Sequence, residues 1–178
     1  EGMMIGKLTG EETRVSLFLD NTSRIEDMFV SFTDPVEKNY KIAIRVKKKT
    51  ATDINVKLRN GPPKINVKVP LEIELLSVPS MVDYGGDMKK QMILKKWIAK
   101  ENEKNMIALV EKTQKVYKSK PLYWSLAVRP LFSTTKEYEE WDWTNKNYPY
   151  ADIDIDVQVD IIGFGKQLKE SEMEKVKD

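Results

Sequence analysis

The sequence contains no cysteine and no histidine among its 178 residues. Without cysteine there is no disulfide scaffold and no thiolate metal site, and without histidine there is no imidazole ligation. The same two absences exclude Ser–His and Cys–His nucleophile pairs, so that only catalysis by carboxylates alone remains open. We therefore expect a protein that is not an enzyme and that needs no cofactor.

Long apolar runs and a dominant charge are missing as well. No apolar stretch approaches the roughly 18 to 20 residues that a membrane helix needs. Lysine and arginine number 30 against 28 acidic residues, and a formal net charge of +2 predicts weak long-range attraction to nucleic acid. We therefore expect a water-soluble protein that does not bind nucleic acid. Because Glu1 leads directly into patterned sequence, we also expect the chain to be a fragment of a longer protein.

What the sequence does contain is strand periodicity. Four segments alternate apolar and polar residues with a period of two, which is typical of strands buried on one face. The four segments lie at residues 40–46, 54–58, 65–75 and 153–161, and a shorter fifth candidate lies at residues 28–32. The run from Asn60 to Pro63 predicts a turn between the strands at 54–58 and 65–75. Short connections predict an antiparallel meander, in which Pro70 occupies an edge position or a bulge.

Helical signals surround these strands. Thr9 and Glu12 have the spacing of a capping box, which predicts a short first helix. A long helix is predicted at about 87–117, with a kink or an exposed stretch at 100–105, and shorter helices at 122–132 and 135–143. The apolar stripe of the long helix comprises Met88, Met92, Ile98, Ala99, Met106, Leu109, Val110 and Tyr117.

Together these elements predict an α+β fold. A mainly antiparallel sheet of about four to five strands is packed by the long helix and the shorter ones. We expect residues 1–165 to form a single domain and residues 166–178 to form a polar tail.

An acidic row on the last strand is the strongest candidate for chemistry. It could offer oxygen ligands to calcium, but same-face residues of a strand lie roughly 7 Å apart, too far for one ion to be held easily. The alternative is a solvated face that pairs with lysines across the sheet. The acidic residues are Asp152, Asp154, Asp156 and Asp160, and the candidate lysines are Lys41, Lys47 and Lys57.

Two further features have both a functional and a structural interpretation. The run of lysines at 47–49 could meet a membrane surface or an acidic partner, or form a solvated strand end. The aromatic residues at 117–150 could line a ligand pocket or a partner-binding patch, or seal the core. If a ligand pocket exists, the segment 124–150 is the candidate, and no ligand-binding residue can be assigned.

Several short motifs follow one another along the chain. Residues 6–13 read Gly-Lys-Leu-Thr-Gly-Glu-Glu-Thr, and residues 114–119 read Gln-Lys-Val-Tyr-Lys-Ser. They resemble the Gly-x-Leu-x-x-x-Glu-Thr opening and the Gln-Lys-x-Tyr-x-Ser stretch of the spore germination Ger(x)C family. A late tryptophan and a closing strand that ends in glycine follow in the same order. The residues that carry the resemblance are Gly6, Leu8, Glu12, Thr13, Gln114, Tyr117, Trp141, Trp143 and Gly163.

The resemblance implies the C-terminal region of a germinant-receptor C subunit, a lipoprotein on the outer face of the spore inner membrane. Its partners would be the receptor A and B subunits, which are integral membrane proteins, and its lipid anchor would lie outside this chain. The domain would be a non-catalytic scaffold in germination, and the motif residues would be structural or interaction residues. The alternatives are an unrelated extracytoplasmic structural or adhesion domain and a carboxylate-dependent hydrolase.

Overall fold

A computed structural model of the chain describes residues 4–22 and 27–165. The five strands are β1 (Met28–Thr33), β2 (Lys41–Lys48), β3 (Asp53–Arg59), β4 (Gly61–Ser77) and β5 (Asp152–Gly163). The four α-helices are α1 (Gly10–Leu19), α2 (Met88–Lys115), α3 (Ser125–Val128) and α4 (Thr135–Trp141). The α+β class and all five predicted strands are confirmed, whereas the predicted tail at 166–178 lies outside the described residues.

The sheet is organised around β4, a strand of 17 residues. On one edge β4 pairs antiparallel with β3 through its first half and with β2 through its second half. On the other edge it pairs with β5, and this pairing is parallel. The sheet is therefore mixed, and the predicted meander is wrong in detail because β2 and β3 both pair with β4 rather than with each other.

Pro70 shows how β4 accommodates a residue that cannot donate a ladder hydrogen bond. The prediction of an edge position is wrong, since β4 is central and has partners on both edges. The Pro70 carbonyl accepts from the Lys49 amide at 2.9 Å, so its nitrogen also faces that edge. This is the point where β3 pairing stops at Lys68 and β2 pairing begins at Leu71. The missing N–H therefore falls between two ladders.

The core lies between the sheet and the helices. Every second residue of β4 from Ile65 to Leu75 is at most 1% exposed. Helix α1 is tied to this layer by two hydrogen bonds to its last carbonyls, from Thr52 Oγ1 to Phe18 (2.6 Å) and from Trp124 Nε1 to Leu19 (2.9 Å). The opposite face of the sheet carries ion pairs between neighbouring strands, including Lys47–Glu72 at 3.2 Å.

Helix α2 is continuous through residues 100–105, where a kink or an exposed stretch was predicted. Lys100, Lys104 and Asn105 are exposed, whereas Asn102 is buried. Its side-chain cap is Asp87, which accepts from the Lys89 amide at 2.9 Å. The predicted stripe is correct for Ile98, Met106, Leu109 and Val110, but Met88 and Met92 are exposed. The buried face instead includes three residues that the stripe omitted, Leu94, Asn102 and Thr113.

Asn102 and Thr113 can be buried because the side chain of each donates a hydrogen bond to a backbone carbonyl of α2. The Asn102 amide donates to the Ile98 carbonyl at 2.8 Å, one turn earlier in the helix. The Thr113 hydroxyl donates to the Val110 carbonyl at 2.7 Å. Hydrogen bonding within the helix removes most of the cost of burying these groups, so hydrophobic periodicity does not detect the true buried face.

The segment after α2 is more irregular than predicted. The predicted helix at 122–132 consists of α3 followed by a 3₁₀ turn at Arg129–Leu131. The helix predicted at 135–143 is α4, which begins with a capping box formed by Thr134 and Glu137. Asp142, with φ of 53°, ends α4, and a π-helical turn at Trp143–Asn147 leads toward β5.

A buried carboxylate fixes the loops at one end of the sheet. Asp34 is fully buried and accepts hydrogen bonds from the hydroxyls of Ser80 and Tyr84 and from the amides of Val36 (2.9 Å) and Glu37 (3.1 Å). Desolvation of the carboxylate opposes ionisation, but these donors together outweigh it and hold the pKa of Asp34 below its usual range. Asp34 thus joins the β1–β2 loop to the β4–α2 connection.

Substitution of Asp34 should make the protein less stable and less sensitive to acid. The carboxylate contributes stability that is fully present above the ordinary aspartate pKa of about 3.9 and is lost as the pH falls through the lower folded-state pKa. We expect Asp34→Asn to reduce the free energy of unfolding at pH 7 by roughly 1–3 kcal/mol. Urea unfolding between pH 7 and pH 2 should show a shallower acid loss for the variant. Asp53→Asn, at an exposed position, is the control, and parallel pH curves for wild type and Asp34→Asn would contradict the assignment.

Candidate functional site

The residues of the N-terminal motif meet the end of α2. A Cβ atom on Gly6 would lie 2.2 Å from Cε1 of Tyr117, so the chain passes too close to the ring for any side chain at position 6. The Tyr117 hydroxyl donates to the Lys7 carbonyl at 2.7 Å. Two segments that are far apart in sequence, each identified by its motif, are therefore in direct contact.

Glu12 strengthens the same junction from α1. Its carboxylate accepts from Lys112 Nζ at 2.6 Å and from the Thr9 amide at 2.8 Å, which completes the predicted capping box. The hydrogen bond from Lys112, followed by that from the Thr9 amide, holds the pKa of Glu12 below its usual range. Lys112 Nζ also lies 5.3 Å from the centroid of the Tyr117 ring. We call Gly6, Glu12, Lys112 and Tyr117 the α1–α2 junction.

The other two residues of the N-terminal motif have local roles. The Thr13 hydroxyl donates to the Thr9 carbonyl at 2.9 Å within the first turn of the helix. Leu8 is partly buried and packs against the core. The contacts of both residues are structural, namely a hydrogen bond within the helix and packing against the core.

A second group of motif residues surrounds the entry to β5. The side chain of Gln114 donates to the carbonyls of Tyr148 (2.8 Å) and Ala151 (3.2 Å), which holds the turn before β5 against α2. Trp143 is 2% exposed, and its ring stacks on that of Trp141 with the centroids 5.9 Å apart. The predicted motif residues of this region are thus brought together around one turn.

Aromatic packing continues from this turn into the core. Trp143 and Tyr148 meet edge to face at 5.3 Å, and Tyr148 and Trp124 at 6.4 Å. The Tyr148 hydroxyl is hydrogen bonded to Thr113 Oγ1, and burial raises the pKa of Tyr148 to about 12. These three rings are almost fully buried, as in a core, while Tyr123 and Tyr150 are exposed.

Gly163, the last motif residue, lies apart from both groups at the end of β5. A Cβ atom there would lie 3.0 Å from Cγ of Glu74 on β4. Glu74 in turn pairs with Arg45 on β2. The glycine leaves room for this ion pair at the end of the sheet.

Three residues of the acidic row of β5, Asp152, Asp154 and Asp160, pair with basic side chains. Lys64 Nζ lies 2.6 Å from Asp154, and Asp160 is contacted by Lys49 (2.8 Å) and Lys95 (3.1 Å). The hydrogen bonds from Lys49 and Lys95 hold the pKa of Asp160 below its usual range. Pairing with basic side chains across the sheet is confirmed, but through residues other than the three predicted lysines. Asp152 lies 3.6 Å from Arg59 of β3, Asp154 pairs with Lys64 of β4, and Asp160 pairs with Lys49, which follows β2.

The described part of the chain, 4–22 and 27–165, contains no group of three or more acidic side chains arranged to hold a metal ion. A groove of about 370 Å³ between α1 and α2 was not predicted from the sequence. Its floor includes Val15 and Leu109, and the Glu12–Lys112 ion pair lies on its wall. No sequence signal identifies such a groove, because it depends on the distance between two helices.

The family model described as "Spore germination B3/ GerAC like, C-terminal" matches residues 1–165. The chain belongs to this family. A solved structure, "Crystal Structure of the GerBC protein", is similar in fold, with a TM-score of 0.71 and 20% sequence identity. The similarity covers 89% of this chain and 47% of that one, so the chain spans about half the length of the solved relative. No match is found among curated proteins.

The family membership confirms the resemblance that the ordered motifs predicted. Within the described residues of this spore germination domain, we find no helix with the length and apolar character needed to cross a membrane. The motif residues form two contact groups, at the α1–α2 junction and at the entry to β5, with Gly163 separate from both.

Gly6→Ala should destabilise the domain through the α1–α2 junction. The new methyl group would overlap the Tyr117 ring, and overpacking of this kind costs about 1–3 kcal/mol. Gly10→Ala is the matched control, because a Cβ atom there meets no atom within 4 Å. Thermal unfolding should show a lower Tm for Gly6→Ala, an equal or higher Tm for Gly10→Ala, and partial recovery in Gly6→Ala combined with Tyr117→Ser. Equal effects of the two alanines would contradict the close contact.

Gln114→Ala should weaken the entry to β5. The substitution removes two hydrogen bonds to the Tyr148 and Ala151 carbonyls, and we expect the free energy of unfolding to fall by about 1–2 kcal/mol. Gln158→Ala, on the exposed face of β5, should change it by less than about 0.5 kcal/mol. The measurement is the urea midpoint of each variant, and a Gln114→Ala midpoint equal to that of wild type would exclude this role.

Proposed function

We propose that the chain is the C-terminal domain of a germinant-receptor C subunit and acts as a non-catalytic scaffold in spore germination. The observation that carries the proposal is the family match over residues 1–165, which include every described element of the fold. We also infer that these residues form a single domain.

The contacts of the motif residues support a scaffold role. The α1–α2 junction and the entry to β5 both fix one segment of the chain against another. In this proposal the motif residues keep the surface of the domain rigid, and any coupling to nutrient sensing passes through contacts of that surface with a partner.

The proposed partners are the receptor A and B subunits, which are integral membrane proteins. The full-length protein would be held on the outer face of the spore inner membrane by a lipid anchor outside this chain. In this arrangement the domain needs no catalytic group and no cofactor, because its contribution is to assembly.

Deletion of the parent gene tests this function in spores that carry no other receptor of the same type. We expect germination to be lost with at least one nutrient and to return with the full-length wild-type gene. A full-length protein that lacks this domain should neither restore germination nor retain the A and B subunits in a pull-down from spore membranes. Unchanged germination with every nutrient, or retention of both subunits without the domain, would overturn the proposal.

A further inference from the structure

The first three turns of α2 expose apolar and basic side chains on one face. Residues four positions apart lie on nearly the same face of a helix. Positions 88, 92, 96 and 100 therefore form one row along α2, and positions 89 and 93 lie beside that row. The apolar side chains are those of Met88 (77% exposed), Met92 (56%) and Ile93 (48%). We call this surface the α2 amino-terminal face, and its residues are Met88, Lys89, Met92, Ile93, Lys96 and Lys100.

The charge of this helical segment has one sign. Residues 88–100 contain five lysines, at positions 89, 90, 95, 96 and 100, and no aspartate or glutamate. Lys90 and Lys95 are directed to Asp87 and Asp160, at 3.8 and 3.1 Å. The three lysines of the α2 amino-terminal face form no ion pair with any residue in 4–22 or 27–165. The face is therefore both apolar and positively charged.

The core does not require the exposed apolar residues of this face. The buried side of the same turns is complete without it, since Leu94 and Ile98 are fully buried, and Trp97 is fixed by a hydrogen bond to the Thr33 carbonyl at 3.0 Å. The methionines and the isoleucine are thus not needed by the core. Helices in a membrane interface bury apolar side chains at the boundary of headgroups and acyl chains, and their lysines contribute electrostatic attraction to anionic lipids.

We propose that the α2 amino-terminal face docks on an anionic phospholipid surface. Methionine and isoleucine side chains would enter the boundary between headgroups and acyl chains, and the three free lysines would approach the lipid phosphates. Lipid is favoured over a protein partner because lysine is depleted in protein interfaces. The face also lacks the tryptophan, tyrosine and arginine that dominate binding hot spots.

The proposal goes beyond the scaffold function and can fail separately from it. It concerns a contact with lipid, whereas the scaffold function concerns contacts with receptor subunits. Docking through this face would set the orientation of the domain relative to the membrane plane, with the start of α2 toward the lipid.

Vesicle sedimentation with the 178-residue chain tests the proposal. The probes are vesicles of phosphatidylcholine alone and vesicles that also contain phosphatidylglycerol at about a third of the lipid. We expect binding to the anionic vesicles, weak binding to the neutral ones, and loss of binding at about 0.5 M NaCl. Each lysine near an anionic surface contributes about a fivefold gain in affinity, so Lys89→Gln/Lys96→Gln/Lys100→Gln should weaken binding by about 100-fold.

Two further variants separate the contributions of the face from general effects. Met88→Ser/Met92→Ser/Ile93→Ser should weaken binding while leaving the net charge unchanged. Lys57→Gln/Lys68→Gln/Lys120→Gln removes the same charge from exposed positions away from the face and should bind like wild type to within about threefold. Because all nine positions are exposed, equal melting temperatures should confirm that each variant is folded.

Three results would overturn the proposal. The first is no binding of the wild type to anionic vesicles, and the second is an equal loss for the two lysine variants. The third is that the protein binds soluble polyglutamate as tightly as it binds anionic vesicles, and that the serine substitutions weaken neither interaction. That result would assign the face to an acidic polypeptide instead of lipid.

Discussion

The structure depends on one long strand whose two edges are both occupied. Burial of alternate residues from Ile65 to Leu75 fixes the register of β4, because a shift of one residue would bring charged side chains into the core. Strands β2 and β3 share one edge, and β5 takes the other. The helices cover the apolar face that this arrangement creates, and the ion pairs cover the opposite face.

Strand positions were predictable from the sequence, but strand partners were not. Period-two alternation depends on which face is buried, and this information is local to each segment. Pairing depends on which strands meet, and no local pattern indicates that β5 returns parallel to β4. The position of Pro70 was mispredicted for the same reason. Pro70 lies between the β3–β4 and β2–β4 pairings, which follow each other along one edge of β4, and the sequence does not reveal that arrangement. Asn102 and Thr113 were missed because both are polar, and the hydrogen bonds that allow their burial are visible only in the folded helix.

The family was predictable from the order of the motifs more than from residue chemistry. The motifs at 6–13 and 114–119 contain ordinary glycine, glutamate and tyrosine, and nothing in their spacing indicates that Gly6 lies against the Tyr117 ring. The absences of cysteine and histidine excluded several kinds of site, but absences do not locate a surface. The buried carboxylate of Asp34, the groove beside α1 and the exposed start of α2 all depend on tertiary contacts.

The parallel pairing of β5 has a consequence for the order in which the protein forms. Ile65 must pair with Ile153, so the sheet cannot close until β5 has left the ribosome. Until then one edge of β4 is open along most of its length, and open apolar strands are the surfaces on which chains associate wrongly. Closing so large a loop late also slows folding. The last strand in sequence therefore determines how long a nascent chain remains vulnerable to aggregation.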